Sequence, residues 1–253
     1  WVNGNFDLNR ITQELEQSKR NGMGGYDIWD VANLADYENK VPAGPPFMGE
    51  ESVKAITHAV KEATRLNLEL GLVVASSWNS GGSWVKPEHG VMGILDTTII
   101  ITGQKDISSS FPFPALPDYD AYGLKTILNK NNNGLPQYYK EVAVLAIPDK
   151  EIIDQNEIID LTGHFNNGIL HWNVPEGKWK VTRYVCTNLG TPLKRPSPNS
   201  NGLMIDHFSK QAQKAHLQFF IDKLTPELGN LSETSLKYLY NDSYEIKGPV
   251  WTP

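Results

Sequence analysis

Cysteine is almost absent from this chain, and the single Cys186 excludes an internal disulfide and a thiolate-rich metal site. On its own it reads as a small buried hydrophobe rather than a nucleophile, and it does not separate cytoplasm from periplasm. Long hydrophobic runs are missing as well. No stretch approaches the ~18 to 20 apolar residues of a membrane span, and no basic segment leading into an apolar one opens the chain. Positive charge is in deficit, with 23 Lys plus Arg against 29 Asp plus Glu, so a formal charge of -6 gives no electrostatic footprint for nucleic acid or an anionic membrane. His58, His89, His164, His171 and His216 lack metal-ligand spacing, and no zinc site is expected. Gly22-Met23-Gly24-Gly25 precedes its strand and lacks the Lys and Ser/Thr of a phosphate loop, so it reads as a helix stop and turn.

What is present is enough chain, 253 residues, for one large domain or two small ones with a core that needs no staples. Leu8, Ile11 and Leu15 predict a helix over 7–20, with Asp7 or Asn9 as N-cap and Asn21-Gly22 as the stop. Gly24 to Trp29 predicts a short strand, and Pro42-Ala43-Gly44-Pro45-Pro46 a loop. A second helix is expected from Gly49-Glu50-Glu51 through Val53, Ile56, Ala59, Val60, Ala63 and Leu66, followed by a buried strand over 68–75. If Trp1-Val2 finishes an earlier strand, this is the βαβα rhythm of a parallel α/β domain.

The rhythm then stops. Short β-rich runs such as Ile99-Ile100-Ile101, 142–147 and 179–186 alternate with turn-rich stretches at 108–117 and 131–134, as in an inserted β element. Pro175-Glu176-Gly177-Lys178-Trp179 reads there as a hairpin-like turn of structural role. Helical spacing resumes over 209–224 and is expected to end at Thr225-Pro226, before a strand over 236–243. The expected division is 1–96 as the first part of a barrel, 97–200 as the insertion, and 201–253 as its continuation through the fourth strand. Four parallel strands are half of an eight-stranded barrel. Because the chain opens on Trp1 rather than Met and ends on Trp251-Thr252-Pro253 just after a strand, it reads as an excerpt from which any signal peptide has been removed.

The last strand, Tyr238-Leu239-Tyr240, runs into Asn241-Asp242-Ser243-Tyr244-Glu245, the pattern of a buried parallel strand emerging at its carboxyl end. Active sites of α/β barrels sit at that end, which singles out Glu245. Trp78-Asn79-Ser80-Gly81-Gly82-Ser83-Trp84 follows the 68–75 strand and should line the same mouth. There Trp78 and Trp84 either stack on a sugar or pack the insertion against the barrel, and Asn79 is the better polar candidate. Glu88 is equally a helix-start residue after Pro87. Asp206-His207 could bind a hydroxyl or calcium, or Asp206 could cap the helix near Ser209.

These motifs, with Trp1-Val2-Asn3-Gly4-Asn5, Pro46-Phe47-Met48, 63–70, Trp78 to Glu88, 175–179 and Asn241 to Thr252, together resemble the N-terminal half of the catalytic region of glycoside hydrolase family 106, the α-L-rhamnosidases. The resemblance covers essentially the whole chain. It implies a (β/α)8 TIM barrel, of which this chain holds about the first four β/α units, and inverting hydrolysis of terminal α-L-rhamnosides. It also implies calcium aiding sugar binding, and a periplasmic or secreted bacterial enzyme that degrades plant polysaccharides. Glu245 suits the general acid, Asp242 would tune or orient it, and the general base is expected beyond residue 253. Trp78, Asn79, Trp84 and Asp206 are expected to contact or support the sugar. The alternatives are a non-catalytic carbohydrate-binding protein with the same mouth, or a glycosidase of this fold acting on another sugar.

Overall fold

A computed structural model describes residues 1–35, 40–151, 153–248 and 250–252; Pro253, on which the chain ends, lies outside the described residues. In chain order the elements are α1 (Leu8–Arg20), β1 (Gly25–Asp30), α2 (Glu50–Leu66), β2 (Glu69–Ser76), β3 (Gly81–Gly82), β4 (Met92–Thr102), β5 (Lys105–Ser110) and β6 (Tyr139–Pro148). They continue as β7 (Ile159–Asp160), β8 (Phe165–Asn166), β9 (Ile169–Val174), β10 (Lys178–Asn188), β11 (Leu203–Met204), α3 (Lys210–Leu228) and β12 (Leu236–Tyr240). The chain forms two compact units: Trp1–Val91 with Thr191–Ile246, and Met92–Gly190 with Lys247–Pro253. Residues 92–96 lie in the second unit because β4 pairs with β10 from Met92 onward, and residues 191–200 lie in the first.

The first unit is mixed α/β. Its main sheet has the order β1-β2-β12, with β2 parallel to both neighbours and an isolated parallel bridge from Val2 to Val31 beyond β1. As the central strand, β2 is buried from Leu70 to Ser76, hence its unbroken apolar run. The Asp7 carboxylate caps α1 by accepting from Arg10 N at 2.9 Å. Helix α2 starts on Glu50 and Glu51, where the helix dipole favours acid, and ends on Asn67 in the left-handed conformation. Its Val53, Ile56, Ala59, Val60 and Ala63 pack with Leu70 and Leu72 of β2 and with Phe220 and Leu224 of α3 in one core.

Helix α3 runs past the expected stop and holds Pro226 within its last turn. Leu224 and Leu228 both pack on the core, and that burial outweighs the backbone hydrogen bond that Pro226, lacking an N–H, cannot donate. Strand β12 is shorter than expected, ending at Tyr240 rather than Ser243. The chain leaves the sheet there because the Asn241 side-chain oxygen accepts from Ser80 N at 3.0 Å and Ser80 Oγ at 2.6 Å. Glu245 therefore lies five positions beyond the strand, on a loop, rather than directly after a strand reaching residue 243.

The second unit is all-β, with one sheet ordered β4-β10-β6-β7 and another ordered β5-β9-β8. Residues 175–179 do not close a hairpin within one sheet. Thr102 pairs with Lys178 and Lys105 with Val174, so β4–β5 and β9–β10 form one long ribbon that bends between them and passes from one sheet to the other. The bend needs Gly103, where a Cβ would stand 1.7 Å from the Pro175 carbonyl oxygen. The sheets share a core of Ile101, Val144, Leu170, Trp172, Trp179 and Val181. Cys186 is buried and not disulfide-bonded.

Candidate active site

The carboxyl ends of β1, β2 and β12 present Asp30, Ser76 and the 241–245 loop in the first unit. Ser77, just after β2, has φ +147°, a conformation that residues with a side chain seldom adopt. It is held from both sides, with the Trp29 indole donating to its carbonyl at 2.7 Å and Arg195 N donating to its hydroxyl at 3.3 Å. That turn aims Trp78 at the neighbouring loop.

Glu245 is exposed and ringed by donors. Lys194 Nζ stands 2.8 Å from its Oε2, the Trp78 indole donates to the same oxygen at 3.3 Å, and Ser243 Oγ donates to Oε1 at 3.4 Å. The Lys194 hydrogen bond and charge, aided by Trp78 and Ser243, hold the Glu245 carboxyl below the usual glutamate range. The loop is tied down by Ser243 N donating to the Trp78 carbonyl at 3.2 Å and by Asn79 Nδ2 donating to the Ser243 carbonyl at 3.4 Å.

The structure thus brings Trp78, Asn79 and Glu245 together. Asn79 is fully buried, and its Oδ1 has no hydrogen-bond partner among the described residues, so it supports the loop from beneath. Trp84 goes elsewhere. It stacks on Phe219 at 4.3 Å and donates its indole N–H to His216 Nδ1 at 3.1 Å, which makes it a packing residue on α3 rather than on the insertion. Asp242 accepts from the Tyr240 hydroxyl at 2.9 Å. Buried Asp206 accepts from Phe208 N at 3.0 Å, forming a turn before α3, while Ser209 is the cap. Glu88 lies in a short 3-10 turn that starts on Pro87.

A cavity of about 200 Å³, lined among others by Val74, Ser80, His207, His216, Leu239 and Asn241, opens at the ends of β2 and β12. Burial lowers the pKa of His207, against the raising effect of the Ile205 carbonyl, so the ring is neutral at pH 7. Tyr244 lies edge-on to both His207 and Phe208, at 4.9 and 5.3 Å between ring centres.

Sequence reasoning missed Lys194 and Asp30. The signal for Asp30 was an acid ending a strand, the same pattern that marked Glu245. For Lys194 it was a lysine in the extended run Pro192-Leu193-Lys194-Arg195-Pro196. Among the described residues no group of three or more His, Cys, Asp or Glu converges as a metal site. The described residues thus do not supply a carboxylate set for calcium.

A carboxylate on the loop beyond the carboxyl end of a parallel strand, flanked by a tryptophan and a lysine, suits the glycoside hydrolases, and comparison with known proteins places the chain in that class. It belongs to glycoside hydrolase family 106, described as alpha-L-rhamnosidase, whose model matches residues 1–152 and 146–253. The rhamnosidase from Novosphingobium sp. PP1Y has the same fold over all of this chain, with a TM-score of 0.70 at 18% identity, and the match covers 38% of that chain. A protein of Formosa agariphila provisionally named a beta-glucuronidase is 29% identical over 287 residues, covering 100% of this chain and 23% of that protein. This chain therefore spans less than half the length of either.

Proposed function

We propose that this chain forms part of a glycoside hydrolase that releases terminal α-L-rhamnose from plant polysaccharides or glycoconjugates with inversion, and that Glu245 is its general acid. The observation that carries the reading is the placement of Glu245 beyond the carboxyl end of a parallel strand, in contact with Trp78, in a chain of the rhamnosidase family. The three parallel strands and the Val2 to Val31 bridge support reading the first unit as part of a (β/α)8 barrel with β12 as its fourth strand.

An inverting enzyme needs one protonated carboxyl for the leaving oxygen and one carboxylate for water, about 6.5–9.5 Å apart. The second carboxylate is assigned to the part of the relatives that this chain does not span. Beside the Lys194 ammonium Glu245 is a carboxylate, so the acid role requires the glycosidic oxygen to replace the ammonium at Oε2. Exclusion of water by the bound sugar then raises the carboxyl into its protonated form. Trp78 would hold Glu245 through its indole N–H and offer its ring to the sugar. A periplasmic or secreted location and a calcium ion elsewhere in the protein belong to the same proposal.

A second reading keeps the chemistry and changes the sugar, and it rests on the name of the Formosa relative. Offering the complete protein an α-L-rhamnoside and a β-D-glucuronide, with the first-formed anomer followed by proton NMR, separates the two. β-L-rhamnose as first product supports the proposal, α-L-rhamnose refutes inversion, glucuronate moves the assignment to the second reading, and release of neither sugar favours a carbohydrate-binding protein.

A further inference from the structure

We propose that Lys194 is a positioning residue for the Glu245 carboxyl, that a buried clamp of Asp30, Ser76 and Ser197 holds it there, and that this pair sets the pH range in which the site works. The inference rests on Glu245 being catalytic.

The Lys194 side chain is only 9% exposed, while that of Glu245 is 47% exposed. A lysine is seldom withdrawn from water this far without a fixed anionic partner, because a buried ammonium left unpaired is strongly disfavoured. Its backbone is correspondingly fixed. Leu193 N donates to the Gly202 carbonyl at 2.9 Å, Ala32 N to the Arg195 carbonyl at 3.1 Å, and Arg195 N to Ser77 Oγ at 3.3 Å. Ser197 is the anchor: its N–H donates to Ser76 Oγ at 2.8 Å and its hydroxyl to Asp30 Oδ1 at 2.7 Å, while Ser76 Oγ donates to the same Asp30 oxygen.

Asp30 is 1% exposed, and burying a carboxyl is costly; among the described residues it is met by the hydroxyls of Ser76 and Ser197 and by the charge of the N-terminal ammonium. What it does here is fasten the 194–197 segment to the ends of β1 and β2. Burial raises the Asp30 carboxyl above its ordinary value, against the lowering effect of Ser76, Ser197 and the N-terminal ammonium.

The groups facing Glu245 are Lys194 from the returning segment, the neutral Trp78 indole from the loop after β2, and the neutral Ser243 hydroxyl from its own loop. The nearby acids are engaged elsewhere, Asp242 with Tyr240 and Asp206 with Phe208 N. Lys194 is thus the charge that acts on Glu245. Its removal makes the Glu245 proton harder to lose, so whichever limb of the pH profile reports Glu245 moves to higher pH.

The test is the pH dependence of kcat/KM for an unactivated α-L-rhamnoside, measured on the complete protein with K194M, K194R and S197A. The expected result is a limb moved to higher pH in K194M, restored in K194R, and moved part of the way in S197A. An alkaline limb that moves fits Glu245 as acid. An acidic limb that moves keeps the Lys194 inference but overturns the acid role, because Glu245 is then needed as a carboxylate. Identical profiles in wild type and K194M, with E245Q inactive, overturn the inference while leaving the function intact. If K194M does not fold by circular dichroism, K194Q carries the same test.

Discussion

His216 makes one consequence of this packing measurable. On α3 it is 3% exposed, its Nδ1 accepts from the Trp84 indole at 3.1 Å, and its Nε2 donates to the Val74 carbonyl of β2 at 2.9 Å. Both nitrogens are used by the neutral ring, and burial, with a smaller contribution from nearby His207, pushes its pKa from 6.5 down to about 4 against the Val74 carbonyl. The unfolded chain therefore takes up the proton first, so stability is present above the unfolded value and is lost as pH falls from about 6.5 towards 4. Between about pH 7 and about pH 5 the loss from this one group is about 2 kcal/mol. A His216→Gln variant can accept from Trp84 and donate to Val74 without titrating, so its stability should not carry that term. Urea unfolding at several pH values, read as the difference between wild type and variant, cancels the carboxylates common to both. A difference that stays constant from about pH 7 to pH 5 would refute the burial and tautomer assigned to His216.

Two further predictions concern the remainder of the chain. Arg183 in the second unit is 4% exposed, pairs with Glu141 through two nitrogens and donates to the Phe111 and Pro112 carbonyls, so Arg183→Met should cost about 3 kcal/mol by urea unfolding and Arg183→Lys should restore only part of it. A Cβ on Gly202 would stand 2.0 Å from the Gly82 carbonyl carbon, so Gly202→Ala should part β3 from β11 and lower stability by about 1–3 kcal/mol, whereas an unchanged melting curve would deny that close approach.

Helix α2 was legible because its apolar residues fall on one face and meet a single core, so pattern and packing agree. Strand β2 was legible for the related reason that a strand between two parallel neighbours is apolar on both sides. Pro226 misled because local chemistry favours a stop there, whereas Leu228, two residues on, is kept helical by tertiary burial. The strand end at Tyr240 was equally hidden, being set by an Asn241 to Ser80 contact across 161 positions. The 175–179 turn looked like a hairpin because a corner between sheets and a tight turn use the same residues.

The candidate site divides along the same line. Residues marked by their own chemistry at a strand end, Glu245 and the Trp78-Asn79 turn, could be picked out and do meet in space. Trp84 shares the loop and the residue type but turns to α3, a choice made by Phe219 and His216 and not by the loop itself. Lys194 carries no local mark, because its meaning lies wholly in a partner 51 positions away.

The role of Glu245 is tested by turnover of the complete protein and its Glu245→Gln variant on two α-L-rhamnosides, one with a poor leaving group that needs protonation and one with a good leaving group that does not. The variant should lose most turnover of the first substrate, about 10²-fold or more, and much less of the second. Equal turnover of the poor leaving group by both proteins would contradict that role and remove Glu245 from the chemistry.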